Sequence, residues 1–313
     1  MDYLSLLKDC RICPHECGID RTAVKNGWCG AGLNTQISAA MPHFGEEPPI
    51  SGTNGSGTIF FLKCNMHCVY CQNYQISQDT DNSGSMIENN LDLTDIMLDL
   101  QNLKCHNINL VSPTIWSPQI ADAVEKAKKK GLKIPIIYNC GGYEKKETIQ
   151  ILKDTIDIYM PDIRYGNDDL AYKYSKIKSY TKNSRESLIE MYEQAGELKT
   201  DKDGIAYKGL IIRLLILPNN IGQLKKSLDF IKNELSTDVY ISIMSQYRPV
   251  FKASKYMEIN RNIYYEEYKR ILEYAQKLGF EKGSIQEYEK IKTDEDLFMP
   301  DFNKEKIFKY EKE

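Results

Sequence analysis

The sequence predicts an α/β protein built on a parallel sheet, on three observations. Six short apolar runs follow one another: "TIFFL" (58–62), "INLV" (108–111), "IPIIY" (134–138), "IDIYM" (156–160), "LIIRLLIL" (210–217) and "VYISIM" (239–244). Each is apolar at consecutive positions rather than alternating, as expected of strands covered on both faces. Between and after them lie stretches with helical spacing, among them "LTDIMLDLQNL", "QIADAVEKAKKKG", "IGQLKKSLDFIKNEL" and "YYEEYKRILEYAQKLG", several closed by a glycine such as Gly131, Gly196 or Gly279. Six such units suit a doubly wound sheet or a partial (β/α)6 barrel, and periodicity does not choose between them.

The chain of 313 residues is long enough for one barrel-sized domain with an accessory segment. Its net charge of -3 argues against a nucleic-acid partner, which needs a basic surface. No basic stretch followed by a long apolar run opens the sequence, and no apolar segment approaches a membrane span. The expected location is the cytoplasm, without a membrane partner. "ELKTDKDGIAYKG" (197–209) reads as a polar insertion with a hairpin at Asp203-Gly204, and glycine-rich "GTNGSGT" (52–58) as a tight turn.

Nine cysteines in such a chain point to metal ligands rather than disulfides, and seven of them fall between residues 10 and 71. Cys105 and Cys140 stand apart beside predicted strands and read as buried free thiols. "CRICPHECGIDRTAVKNGWCG" supplies Cys10, Cys13, Cys17 and Cys29. A close pair, a third nearby and a distant fourth is how a knuckle gathers four thiolates, around zinc or around an iron–sulfur cluster. His15 reads as a loop residue, since four sulfurs suffice.

The second group, "CNMHCVYC", places Cys64, Cys68 and Cys71 on the loop that leaves the first predicted strand. In α/β barrels that end carries the active site. Three thiolates leave one corner of a four-iron cube open; a zinc site completed by His67 is the alternative. This spacing resembles the signature of the radical S-adenosylmethionine (SAM) superfamily. The wider stretch "HFGEEPPISGTNGSGTIFFLKCNMHCVYCQNYQIS" (43–77) and the N-terminal "CRICPHECG…GWCG" resemble the PflX-type proteins related to pyruvate formate-lyase activating enzyme. The resemblance implies a partial (β/α)6 TIM-like barrel over residues 46–288, preceded by a four-cysteine metal-binding segment (1–45) and followed by a charged tail (289–313). It also implies a [4Fe–4S] cluster on Cys64, Cys68 and Cys71 with SAM on the fourth iron. SAM would be cleaved reductively to a 5′-deoxyadenosyl radical that abstracts hydrogen.

Further residues come from the same resemblance, each at a predicted strand end. Tyr70 precedes the last cysteine. Ser112, Pro113 and Thr114 stand where relatives carry a Gly-Gly-Glu-like SAM-binding segment. Asn139 and Gly141 are expected to line the pocket. Asp162 and Arg164 occupy the end of the fourth strand, with Arg164 placed to pair with the SAM carboxylate. Arg213 lies where relatives have Arg-His, Leu214 replacing the His. Gln246 and Tyr247 end the sixth strand. The implied activity is hydrogen abstraction from a protein or peptide, in the manner of glycyl-radical activases, with flavodoxin or ferredoxin as electron donor. A radical SAM enzyme acting on a small metabolite or nucleoside, and a non-catalytic iron–sulfur electron carrier, are the alternatives. A protein substrate predicts a mouth open near Tyr70, Arg164 and Tyr247.

Overall fold

A computed structural model describes residues 2–23, 27–78, 92–288, 300–304 and 307. Strands β1 (Ile37–His43), β2 (Ser56–Phe61), β3 (Ile108–Val111), β4 (Ile136–Cys140), β5 (Ile158–Pro161), β6 (Lys199–Thr200), β7 (Ala206–Leu215), β8 (Tyr240–Met244) and β9 (Gly283–Ile285) form one sheet. Its order is β1-β2-β3-β4-β5-β7-β8-β9, and β6 pairs with β7 alone. From β2 to β9 every neighbouring pair on this path is parallel, whereas β1 runs antiparallel to β2. Along the parallel part each strand lies beside its predecessor, so the order never reverses. A doubly wound sheet requires such a reversal. Successive right-handed crossovers instead place the helices on one face and curl the sheet into a partial barrel.

The helices are α1 (Pro48–Ser51), α2 (Tyr74–Ser77), α3 (Leu93–Asn102), α4 (Ser117–Lys129), α5 (Lys146–Ile151), α6 (Asp168–Ser175), α7 (Tyr180–Ala195), α8 (Leu224–Glu234) and α9 (Tyr265–Leu278). In α4, Pro118 sits in the first turn and lysines in the last, where each suits the helix end. Its buried Ile120, Val124 and Ala127 form one stripe facing the sheet.

Strand residues divide by the two-residue period into two layers. Ile59, Phe61, Leu110, Tyr138, Tyr159, Ile212, Leu214 and Ile243 face the helices in the large outer core. Ile137, Ile158, Met160 and Ile211 face inward, with Ile50 of α1 among them, and close the lower end of the barrel. Phe60, Val111 and Ile76 form a third cluster beside the cysteine loop, joined by Phe302 and Ile307.

Three sequence expectations change. β1 belongs to the barrel sheet, so the sheet begins at Ile37, within the segment assigned to residues 1–45. Short β9 was not foreseen. Most of the 289–313 tail lies outside the described residues; residues 300–304 and 307 are described and dock on the barrel. The 197–209 hairpin is present, with Asp201 accepting from the N–H groups of Asp203 and Ile205 and Gly204 at φ 80°. Cys105 and Cys140 are buried free thiols.

Candidate active site

A cavity of about 470 Å³ occupies the barrel interior, within the size range of small-molecule sites. Lys63, in a left-handed conformation (φ 69°), turns the chain off β2. Cys64, Cys68 and Cys71 then line the cavity's upper wall. Each sulfur has a donor beside it. The Met66 N–H points to Cys64 Sγ (3.4 Å), the Ser175 hydroxyl donates to Cys68 Sγ (2.9 Å), and Cys71 Sγ lies 3.3 Å from the Ser77 hydroxyl. Burial pushes these thiols up, Cys64 to about 12 and Cys71 to about 11, so iron binding must displace protons from them. Among the described residues no three His, Cys, Asp or Glu side chains already stand at metal-binding geometry. The thiols border open space.

A charged network crosses the interior. Arg213 Nε donates to Asp162 Oδ1 (2.7 Å), its Nη2 to Asn139 Oδ1 (2.5 Å), and its Nη1 lies 3.3 Å from Glu46 Oε2. Arg164 Nη2 bonds the other Asp162 oxygen (2.5 Å). Asn109 Nδ2 holds Glu46 Oε1 (2.9 Å). Glu46 and Glu47 come from the segment after β1. His43, at the end of β1, pairs with Ser56, the first residue of β2, so this segment enters from the end away from the cysteines. Six residues of strand separate the two ends, roughly 17–20 Å. Burial raises both carboxyls, an effect Arg213 only partly offsets. Glu47 also bonds Ser242, but its Oε2 is buried without a partner.

Of the residues expected in the pocket, Tyr70, Ser112, Asn139, Gly141, Asp162, Arg164, Arg213, Gln246 and Tyr247 line the cavity. Ser112 has φ 59°, a conformation that favours glycine. Pro113 and Thr114 do not line it; Thr114 is turned away and donates to Glu144 Oε1 (2.7 Å). Arg213 spends its donors on the network. Leu214 faces the outer core, so a His at that position faces away from the cavity. Tyr70 and Tyr247 are 2% and 1% exposed and meet edge to face at 5.7 Å beside the cavity. Sequence reading missed Glu46, Glu47, Asn109 and Ser175. "GEEPP" was in view, but its approach from the far end depends on an antiparallel strand that the apolar pattern did not reveal. Among the described residues no helix is long and apolar enough to cross a membrane.

A partial barrel with three cysteines after its first parallel strand defines a class. Residues 58–231 match the radical SAM superfamily, more than half of the chain, and the chain belongs to that superfamily. It is 30% identical over 284 residues to an uncharacterized protein of Methanocaldococcus jannaschii, covering 88% of this chain and 77% of the relative. Among solved structures it is similar to methylornithine synthase (12% identity, TM-score 0.47, covering 68% of this chain and 59% of that one). It is also similar to the FeFe-hydrogenase maturase HydG from Carboxydothermus hydrogenoformans (12% identity, TM-score 0.49, covering 74% and 53%). The chain thus spans less than two thirds of either enzyme's length.

The family implies a [4Fe–4S] cluster and SAM, and the residues present fit both. Three sulfurs on the cavity wall, each with a hydrogen-bond partner beside it, suit three irons. Arg164 Nε is buried and unpartnered, and Arg164 lines the cavity, which suits a carboxylate.

Proposed function

We propose that this protein is a radical SAM enzyme acting on a small polar molecule that carries a basic nitrogen. The bound cluster supplies an electron that cleaves SAM and starts hydrogen abstraction. The chain's own contribution is positional. Cys64, Cys68 and Cys71 hold the cluster, Arg164 orients a carboxylate, and Tyr70 and Tyr247 pack together beside the cavity. Glu47 carries the substrate reading: it lines the cavity and its Oε2 is buried without a partner, beside a network in which three carboxyls (Glu46, Glu47, Asp162) meet two guanidiniums (Arg164, Arg213). A substrate ammonium or guanidinium donates to the free Glu47 oxygen and, by its charge, draws the raised carboxyl into its ionised form. We place the enzyme in the cytoplasm, reduced by a flavodoxin or ferredoxin.

The activase-like reading, abstraction from a protein or peptide, rests on the resemblance of residues 43–77. One experiment separates the two. Anaerobically reconstituted enzyme is given reductant, SAM and either the ultrafiltrate or the retentate of a deuterated cell extract. Deuterium in 5′-deoxyadenosine from the ultrafiltrate is expected; deuterium from the retentate alone reverses the assignment to a protein substrate. Cys68→Ala should abolish SAM cleavage, and retained cleavage removes the cluster assignment. Glu47→Gln should keep substrate-free cleavage and lose most of the deuterium transfer.

A further inference from the structure

Residues 8–23 and 27–36 contain no helix or strand, yet hydrogen bonds at Ile12, Arg21 and Leu33 tie them to the barrel. Cys10, Cys13, Cys17 and Cys29 line one narrow pocket of about 10 Å³, whose remaining walls include Ile12, Ile19, Arg21 and Ile115. That is the room of a single small atom. An eight-atom iron–sulfur cube enters it only if the ligand loops part. The thiols already have donors arranged around them. The N–H groups of His15 and Ala31 serve Cys13 and Cys29, the Trp28 N–H lies 3.5 Å from Cys17 Sγ, and Arg21 Nη1 lies 3.9 Å from Cys10 Sγ. Four sulfurs lining one pocket with donors beside them are the ligand set of a structural tetrahedral site, and they reach metal-binding distances by closing on the ion.

The same segment grips the loop that carries the second cysteine group. Trp28, next to Cys29, stacks on His15 at 4.5 Å and on His67 at 4.8 Å. His67 lies between Cys64 and Cys68. His15 Nε2 is 2.9 Å from the Asn65 carbonyl, and Lys63 Nζ donates to the Gly30 carbonyl (2.5 Å). Every gripping residue of the segment lies within two positions of one of its cysteines, so whatever ties the cysteines together also fixes the grip. A segment with so little core of its own needs such a tie.

We propose that Cys10, Cys13, Cys17 and Cys29 bind one zinc ion, and that the zinc knuckle braces the loop bearing Cys64 and Cys68. The brace rests on the reading of that loop as the cluster site; the zinc does not. The test measures zinc, iron and sulfide in the full chain. About one zinc per chain is expected, kept in the Cys64→Ala/Cys68→Ala/Cys71→Ala variant and lost in Cys13→Ser/Cys29→Ser. About four irons with sulfide in the triple variant, or neither metal there, overturns the zinc. Trp28→Ala should retain zinc yet release cluster iron to a chelator several-fold faster than wild type. Unchanged release overturns the brace while leaving the zinc and the cluster assignment standing.

Discussion

A single hydroxyl, that of Ser175, links the end of α6 to the sulfur of Cys68. Behind it stands a chain of phenols: Tyr165 lies 2.7 Å from Ser175 and 2.7 Å from Tyr70. Hydrogen bonds to cluster sulfurs stabilise the more negative, reduced state and raise the potential. Ser175→Ala should therefore lower the cluster midpoint, on the order of tens of mV since a one-electron couple moves about 59 mV per tenfold. An EPR-monitored redox titration checks it, and an unmoved midpoint denies Ser175 that role. Glu144 carries a second prediction. It is fully buried, accepts from Thr114 (2.7 Å) and Tyr138 (3.0 Å), and burial raises its carboxyl to about 7. The unfolded carboxyl ionises near 4.3, roughly, so between these values the folded chain holds the extra proton. Stability then falls as pH rises from about 4.5 to about 7, by roughly 3 kcal/mol at most. Glu144→Gln should match wild type near pH 5 and exceed its Tm at pH 8. Parallel curves place the ionisation elsewhere.

At the scale of elements, what the sequence made legible follows the physics that fixes each piece. The parallel strands announced themselves because both faces are covered and both must be apolar. The cysteine groups were legible because ligand spacing is local. β1 was missed because "ISAAMPH" lies at a sheet edge and is only partly buried, so its apolar content is weak. β9 has three residues, two of them exposed. α6 has a side-chain cap, Asn167 accepting from the Leu170 N–H. Nothing local says that its last residue reaches Cys68, 107 positions away. The network around Arg213 is of the same kind: Glu46, Asn139, Asp162 and Arg213 come from four separate parts of the chain. Sequence pattern identified the barrel and the thiols, whereas the charged network of the interior emerges only when the sheet brings its residues together.

For the molecule as a whole, the open sheet leaves two edges, β1 and β9, which do not pair among the described residues. The segment 300–304 docks beside that gap. Pro300 lines the cavity together with Ile285 and Gln286. Phe302 is fully buried and meets Phe60 at 5.3 Å. Gln75 binds the Asp301 carboxylate (3.0 Å) and accepts from the Phe302 N–H (2.9 Å). The chain's own segment thus covers the β2 side of the gap, which narrows the room for an inserted polypeptide loop. If the segment stayed docked, Phe302→Ala would cost about 3–5 kcal/mol. Phe302 is the segment's buried ring, so its loss makes release of the segment the cheaper response. The variant should lose less global stability than that figure while residues 300–304 become open to amide exchange. Substrate-free SAM cleavage should rise as water gains the cavity. Continued protection of 300–304 in the variant would mean that Phe302 is not the anchor and that other contacts hold the segment.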